Sequence, residues 1–112
     1  MNFKVSSIAS FDREIKRLAK RYRSMDDDFA RLLDSLTREP FQGKSLGGNV
    51  YKVRLRISSK QKGKSGGARV ITCVKVVRET VYLLSIYDKS EQSDIADEKI
   101  QELLREIPTE PS

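Results

Sequence analysis

The sequence contains no histidine and no tryptophan, and it has a single cysteine among its 112 residues. Without histidine, the chain cannot use imidazole as an acid, as a base, or in a Ser–His or Cys–His pair. The common zinc sites, which combine several histidine and cysteine ligands, are excluded as well. Because one cysteine cannot form an intrachain disulfide and Cys73 lies among apolar residues, we expect a buried, reduced thiol.

Long apolar segments are also missing. No run approaches the roughly 18 residues of a membrane-spanning helix, and the first residues, MNFKVSSIASFDREIKRL, do not resemble a signal peptide. We therefore expect a cytoplasmic protein without membrane attachment. The length predicts one small domain over residues 1–112, with residues 108–112 as a loose tail.

Acidic residues are absent from the middle of the chain. Residues 40–78 contain ten of the 22 Lys and Arg residues and no Asp or Glu, whereas residues 1–39 have a net charge of +2 and residues 79–112 of −6. Ten cations without an acid repel one another unless something negative is bound, so the pattern favours a polyanionic partner such as nucleic acid. A basic surface that only aids solubility is the alternative.

The N-terminal third shows the periodicity of one strand and two helices. Residues 3–7 alternate as a short strand, and apolar residues recur at steps of three and four over residues 8–22, with Ser10 as a plausible N-cap. A second helix follows from Ser24 to the proline at position 40. Helices joined this closely form an antiparallel hairpin.

The rest of the chain predicts a meander and a final helix. Residues 43–49 are typical of a turn, and three strands are predicted at 50–58, 68–77 and 80–88. Ser90 or Ser93 is expected to cap the last helix. The resulting order, β-α-α-β-β-β-α, indicates an α+β fold: a small antiparallel sheet with an N-terminal strand, a helical hairpin on one face and a C-terminal helix.

Three cations share one face of the first meander strand. Side chains alternate along a strand, so Lys52, Arg54 and Arg56 lie on the same side, about 7 Å apart. Such a row cannot face an apolar core, because unpaired buried charges cost several kcal/mol. Arg69 begins the next strand, after a glycine-rich loop that is either a phosphate cradle or a plain hairpin loop.

RNA cleavage without histidine needs other groups for proton transfer. Lys52 can act as a base or an electrostatic stabiliser, since its cationic neighbours disfavour its own charge. Arginines can stabilise the pentavalent phosphorane, and Tyr87 or Lys89 can protonate the leaving oxygen. Neither a metal nor a cofactor is expected. Additional RNA-binding cations are predicted at Arg56, Lys60, Lys62 and Lys64.

Three segments resemble toxins of bacterial toxin–antitoxin operons in the RelE/ParE superfamily, with the HigB-like branch the nearest. These segments are YKVRLR at 51–56, GKSGGARVI at 63–71 and VYLLSIYDKSEQSDI at 81–95. The resemblance implies ribosome-dependent mRNA cleavage or, in the ParE branch, inhibition of DNA gyrase. It also implies neutralisation by a cognate antitoxin, in a complex that we expect to be a heterotetramer.

The resemblance also assigns roles to individual residues. The basic triplet of the family falls on Lys52, Arg54 and Arg56, its phosphate-binding arginine on Arg69, and its strand-end lysine on Lys89.

Two positions depart from the RelE pattern and leave the general acid open. Ser90 stands where RelE has an arginine, and Ala96 stands at about the position of its tyrosine. Tyr87 is the expected substitute, with Lys89 as the alternative.

Three functions follow from these observations. We favour a metal-independent mRNA endonuclease acting at the ribosome. A gyrase-inhibiting toxin is less favoured because the set of Lys52, Arg54, Arg56 and Arg69 is complete. A nucleic-acid-binding protein without catalysis is the third.

Overall fold

The computed structural model describes residues 2–60 and 66–109. Three helices and five strands follow one another in this order: β1 (Lys4–Ser7), α1 (Ala9–Arg21), α2 (Met25–Arg38), β2 (Lys44–Gly47), β3 (Val50–Leu55), β4 (Ala68–Lys75), β5 (Thr80–Asp88) and α3 (Asp97–Leu104). The predicted α+β fold is confirmed. None of the helices in the described part of the chain is long and apolar enough to cross a bilayer.

The strands form one sheet in the order β1-β5-β4-β3-β2. The last four strands of the chain pair antiparallel, as expected of a meander, whereas β1 lies parallel to β5 at the edge. The sheet is therefore mixed and not purely antiparallel. Because β1 and β5 are far apart in sequence, no hairpin turn sets their relative direction. The periodicity of the sequence therefore could not predict that the two strands are parallel.

The segment predicted as a turn at 43–49 contains the extra strand β2. Lys44 and Ser45 pair with Lys52 and Tyr51 of β3, and the connecting residues Gly48 and Asn49 have φ values of 60° and 62°. Two successive positive φ values are the pattern of a type I′ hairpin turn. All four residues of β2 are exposed, so this edge strand has no apolar alternation by which the sequence could have revealed it.

The predicted helix caps were mostly wrong. Ser10 lies inside α1 and is buried, and its hydroxyl has no hydrogen-bond partner among the described residues. Ser24 does precede α2, but its side chain caps no backbone N–H of that helix. Ala96, and neither Ser90 nor Ser93, stands at the N-cap of α3. Serine at a helix start is a statistical preference that tertiary contacts override.

The hydrophobic core lies between the helices and the sheet. Both central strands, β4 and β5, are buried along nearly their whole length. Phe11 and Leu18 of α1 and Leu36 of α2 are at most 1% exposed, and they supply the helical side of this core. Cys73 is also buried, and burial raises the pKa of its thiol.

Candidate functional site: a cationic row across three strands

Two arginines and a tyrosine line up across β3, β4 and β5. Arg54 pairs directly with Arg69, and Arg69 pairs directly with Tyr87. Residues opposite one another in an antiparallel ladder share a face, with Cβ atoms about 5 Å apart. Lys52 lies two positions before Arg54 on the same strand, so its side chain is on the same face. Strand register thus brings these four side chains together.

Arg69 is buried without an acidic partner. Its side chain belongs to a residue only 8% exposed, and its guanidinium donates to the carbonyl oxygen of Ala68 at 3.2 Å. Within residues 2–60 and 66–109, no carboxylate forms an ion pair with Arg69 or with the exposed Arg54. A buried cation that lacks a countercharge is costly. We call Lys52, Arg54 and Arg69 the cationic row. Its two arginines are suited to bind an anion.

Lys52 differs from the two arginines because it is paired. Its Nζ lies 3.0 Å from Oδ1 of Asp94, which follows β5 in sequence and folds back over the sheet. The same oxygen accepts the backbone N–H of Ile95 at 2.8 Å and lies 3.5 Å from the Tyr87 hydroxyl. The hydrogen bond from Lys52, followed by the one from Ile95, lowers the pKa of Asp94. Asp94 is therefore an ionised member of the site.

This contact changes the expected chemistry of Lys52. The sequence argument considered only the cationic neighbours of Lys52, but its Nζ donates to a carboxylate oxygen of Asp94 at 3.0 Å. The arrangement favours the electrostatic role for Lys52 over the role of general base. Sequence analysis missed Asp94 because no local pattern shows that the segment after β5 returns to Lys52.

The Tyr87 phenol lies in surroundings that keep it protonated. Burial raises the pKa of its phenol, the negative charge of Asp94 acts in the same direction, and Arg69 partly opposes both. The hydroxyl is therefore protonated at neutral pH. A protonated phenol beside two arginines can donate a proton to an oxygen that leaves phosphorus.

The other predicted cations are placed differently. Arg56 is exposed just past β3, and Lys89 is half-buried just past β5, with its backbone N–H donating to the Gly67 carbonyl at 3.0 Å. Lys60 is held by Asp88, at 3.0 Å. This ion pair stabilises the fold. The predicted contact of Lys60 with RNA stays a prediction. Lys62 and Lys64 lie outside the described residues.

Asp88 anchors the end of β5 beside Tyr87. Its buried carboxylate accepts hydrogen bonds from the Tyr22 hydroxyl, from Lys60, and from the backbone and side chain of Ser90. Burial alone would raise the pKa of Asp88, but these hydrogen bonds outweigh burial and hold the pKa well below its ordinary value. This network, which the sequence analysis did not identify, fixes the strand end against the helical hairpin.

Asp28 of α2 anchors the segment that follows β3 in the same way. It accepts hydrogen bonds from the Ser58 backbone at 2.8 Å and hydroxyl at 2.6 Å, and from Ser24 at 2.7 Å. Burial opposes its ionisation, yet the bonds from Ser58 and Ser24 together lower the pKa of Asp28. Asp28 thus fixes the segment after β3, and Asp88 fixes the end of β5. Both strands carry residues of the site.

Gly67 brings the start of β4 close to the end of β3. Its φ is +84°, and a Cβ at this position would lie 2.7 Å from the Leu55 carbonyl oxygen. Any side chain would force the two strands apart here. Glycine at this position therefore preserves the register that sets Arg54 opposite Arg69.

Fold and site together define a small α+β protein whose sheet carries two arginines, Arg54 and Arg69, that form no ion pair with a carboxylate of the described residues. The profile of a family described as "RelE toxin of RelE / RelB toxin-antitoxin system" matches residues 10–110. The match extends over nearly the whole chain, and the chain belongs to this family. The superfamily predicted from sequence is thereby confirmed, whereas the HigB-like branch stays a prediction.

Solved structures show the same fold at low sequence identity. One of them is the Escherichia coli toxin RelE in the free state, in a mutant with two arginines replaced by alanine. It is 19% identical, with a TM-score of 0.65, over 96% of this chain and 100% of that one. The toxin–antitoxin complex RelBE2 of Mycobacterium tuberculosis matches at 14% identity and a TM-score of 0.57, over 79% of this chain and 92% of that one.

Proposed function

We propose that this protein is the toxin of a toxin–antitoxin pair and cleaves mRNA on the ribosome in the cytoplasm. Membership in the RelE family supports the first part of this proposal. The observation that carries the second part is Arg69, buried opposite Arg54 and Tyr87 without a carboxylate partner among the described residues. A phosphodiester supplies the anion that such a row lacks.

The reaction is a transesterification within the RNA chain. The 2′-oxygen attacks the adjacent phosphorus, the bond from phosphorus to O5′ breaks, and the products are a 2′,3′-cyclic phosphate and a 5′-hydroxyl. Arg54 and Arg69 bind the non-bridging oxygens, where negative charge grows in the phosphorane, and the Lys52 ammonium adds to this stabilisation. Arg56 and Lys89 hold the neighbouring phosphates.

Two proton transfers complete the reaction. Asp94 accepts the proton of the 2′-hydroxyl, and Tyr87 donates a proton to O5′ as it leaves. The Tyr87 hydroxyl lies 3.5 Å from Asp94 Oδ1. After turnover, the protonated Asp94 can therefore return its proton to the phenolate of Tyr87. In this scheme Asp94 takes the role of base that Lys52 had in the sequence-based hypothesis, and Lys89 is the alternative acid.

An antitoxin partner follows from the same proposal. The relative from M. tuberculosis was solved as a toxin–antitoxin complex. Four large apolar side chains are exposed on the described surface: Phe41, Leu46, Val76 and Val77. Exposed apolar groups suit a protein partner better than RNA. We expect the antitoxin to contact them and to exclude mRNA from the cationic row.

Expression of single-site variants in cells tests the proposal. Wild-type protein should produce transcripts cut within translated regions, and Tyr87→Phe should abolish the cuts without loss of folded protein. Arg105→Ala, which removes an exposed cation at the C-cap of α3, is the control. Growth arrest with intact transcripts contradicts the proposal. DNA damage without mRNA loss would indicate gyrase inhibition, and RNA binding without cuts a non-catalytic protein.

Comparison of two variants identifies the acid. If Tyr87 donates the proton, Tyr87→Phe should lose cleavage by about 10²-fold or more, and Lys89→Ala should weaken RNA binding mainly. The reverse result would assign the acid to Lys89. Both are measured with ribosome-bound mRNA in single-turnover cleavage assays.

A further inference from the structure

Strand β5 contains one residue more than the strand it pairs with. Thr72 of β4 lies opposite Leu83, whereas the residue before it, Ile71, lies opposite Ser85. Leu84 therefore has no residue opposite it. An extra residue in one strand of an antiparallel pair is a β-bulge.

The bulge decides on which face of the sheet Tyr87 lies. Beyond the bulge, Tyr87 pairs with Arg69. If the register before the bulge continued, Tyr87 would instead lie opposite Ala68, the neighbour of Arg69 whose side chain points to the other face. Without the extra residue, the phenol would therefore be removed from the cationic row. Bulges often redirect a side chain in this way beside an active site.

Two tyrosines of β5 show the effect of the extra residue. Tyr82 pairs with Cys73, which lies four residues after Arg69 on β4 and so shares its face. Tyr87 lies on this face as well. Because residues five positions apart lie on opposite faces of a regular strand, the bulge is what places both tyrosines on one face.

Glu14 of α1 holds the bulge from the side. Its Oε1 accepts the Ser85 hydroxyl and the Ile86 backbone N–H, both at 3.1 Å. The edge strand β1 has ended by this point, since its last residue, Ser7, pairs with Leu83. The carboxylate thus binds a backbone N–H of β5 just past the end of the neighbouring strand.

Glu14 occupies a position on the apolar face of α1. Phe11 and Leu18, three residues before it and four after it, are at most 1% exposed, so all three point to the same side of the helix. Glu14 itself is half-buried. An apolar side chain is the usual choice on this face, and the contact with the bulge explains the carboxylate.

Removal of this carboxylate would leave buried polar groups without their acceptor. Ser85 is 3% exposed and Ile86 is 1% exposed. A buried N–H that loses its acceptor is costly, and a strand can avoid the cost by rearranging its bulge. Because Ile86 directly precedes Tyr87, such a rearrangement displaces the phenol.

We infer that Glu14 is a positioning residue, which holds the bulge of β5 so that the Tyr87 hydroxyl stays beside Arg69. In the proposed reaction Glu14 contacts neither the RNA nor the reacting atoms, and it acts only through Ser85 and Ile86. Its effect on cleavage rests on the proposed function, in which Tyr87 donates the proton. The position of the phenol does not depend on that function and is measured separately.

Comparison of Glu14→Ala with Glu14→Gln tests the effect on cleavage. In Glu14→Ala, the single-turnover rate with ribosome-bound mRNA should fall about 10- to 100-fold, as expected when a reacting group moves by about 1 Å. Affinity for a short RNA with 2′-O-methyl groups, which cannot be cleaved, should stay within about twofold of wild type. Glu14→Gln keeps an oxygen acceptor and should retain cleavage within about threefold. Asp12→Ala, which removes the other acid of α1, is the control.

A double variant separates positioning from a general effect. With Tyr87→Phe already present, Glu14→Ala should lower the residual cleavage by no more than about twofold, because no hydroxyl is left to position. A full additional loss would show that Glu14 acts independently of Tyr87, and would overturn the inference.

Amide hydrogen exchange and NMR of labelled tyrosine rings test the position of the phenol without cleavage. In Glu14→Ala, the Ile86 amide should exchange about tenfold or more faster, while the Val53 amide of β3 keeps its rate. The ring signals of Tyr87 should shift, and those of Tyr51 should not. Equally faster exchange over the whole sheet would mark Glu14 as a residue that only stabilises the fold, and would overturn the inference.

The two proposals fail in different ways. Full cleavage by Glu14→Ala, or an equal loss in Asp12→Ala, overturns the positioning role and leaves the proposed function standing. A wild-type protein that cleaves no mRNA contradicts the proposed function. In that case, faster exchange at Ile86 and a displaced Tyr87 ring in Glu14→Ala still support the positioning role.

Discussion

Asp88 and Arg69 are both buried charged residues, and the structure treats them in opposite ways. The Asp88 carboxylate is fully enclosed and accepts hydrogen bonds from Tyr22, Lys60 and Ser90. Arg69 is 8% exposed, and its guanidinium donates only to the neighbouring carbonyl of Ala68 among the described residues. Burial without a countercharge is tolerated in a fold when a ligand supplies the charge. Asp88 is therefore a charge that stabilises the fold, whereas Arg69 is a charge that is available to bind an anionic ligand.

The strongest test of this comparison is Arg69→Ala. Loss of a group that stabilises the phosphorane should lower mRNA cleavage by about 10²- to 10³-fold. Thermal stability should stay equal or rise, because an uncompensated buried cation is removed. Single-turnover cleavage and thermal unfolding measure the two effects. A clear drop in melting temperature would place Arg69 with Asp88, as a structural residue.

Asp88→Asn should have the opposite profile. The change leaves the Lys60 ammonium beside a neutral amide, and breaking a buried ion pair of this kind costs about 3–5 kcal/mol. Denaturant unfolding should show the loss, and cleavage by the folded fraction should fall much less than in Arg69→Ala. Asp34→Asn, which breaks an exposed pair on α2, is the control and should cost less than about 1 kcal/mol.

Asp94→Asn tests a charge that is neither enclosed in the fold, as Asp88 is, nor without an acidic or basic partner, as Arg69 is. Loss of the proton acceptor should lower cleavage by about 10²-fold. Binding of uncleavable RNA should tighten, because a negative charge next to Lys52 is gone. Asp97→Asn, at the exposed start of α3, is the matched control. Faster cleavage in Asp94→Asn would show instead that this carboxylate competes with the phosphate.

The smallest predicted effect is on the pH dependence of stability. The pKa of Asp88 is lowered on folding, so its stabilising contribution is present above the unfolded pKa, about 4, and is lost as the pH falls below it. Below about pH 4 the unfolding free energy of the wild type should therefore decrease. Asp88→Asn should show a shallower decrease over the same range, and equal slopes would contradict the assignment.

The elements that the sequence predicted well are those with a strong local pattern of apolar residues. The two helices of the hairpin and strand β3 bury apolar positions at regular intervals, and β4 and β5 are continuous segments buried along nearly their whole length. Strand β2 is exposed and contains glycine, and the direction of β1 depends on β5, more than 70 positions later. The N-caps at Ile8 and Ala96 follow from tertiary packing and not from the preference for serine.

The sequence by itself determined the acid-free segment and the shared face of Lys52 and Arg54, because a strand alternates and like charges in a row need a counterion. Only the tertiary structure decided which charges meet across the sheet. Register set Arg69 opposite both Arg54 and Tyr87. The return of the chain after β5 brought Asp94 to Lys52, and the segment after β3 brought Lys60 to Asp88 at the end of β5. Contacts between residues so distant in sequence depend on packing the whole chain around one core, which no local pattern encodes.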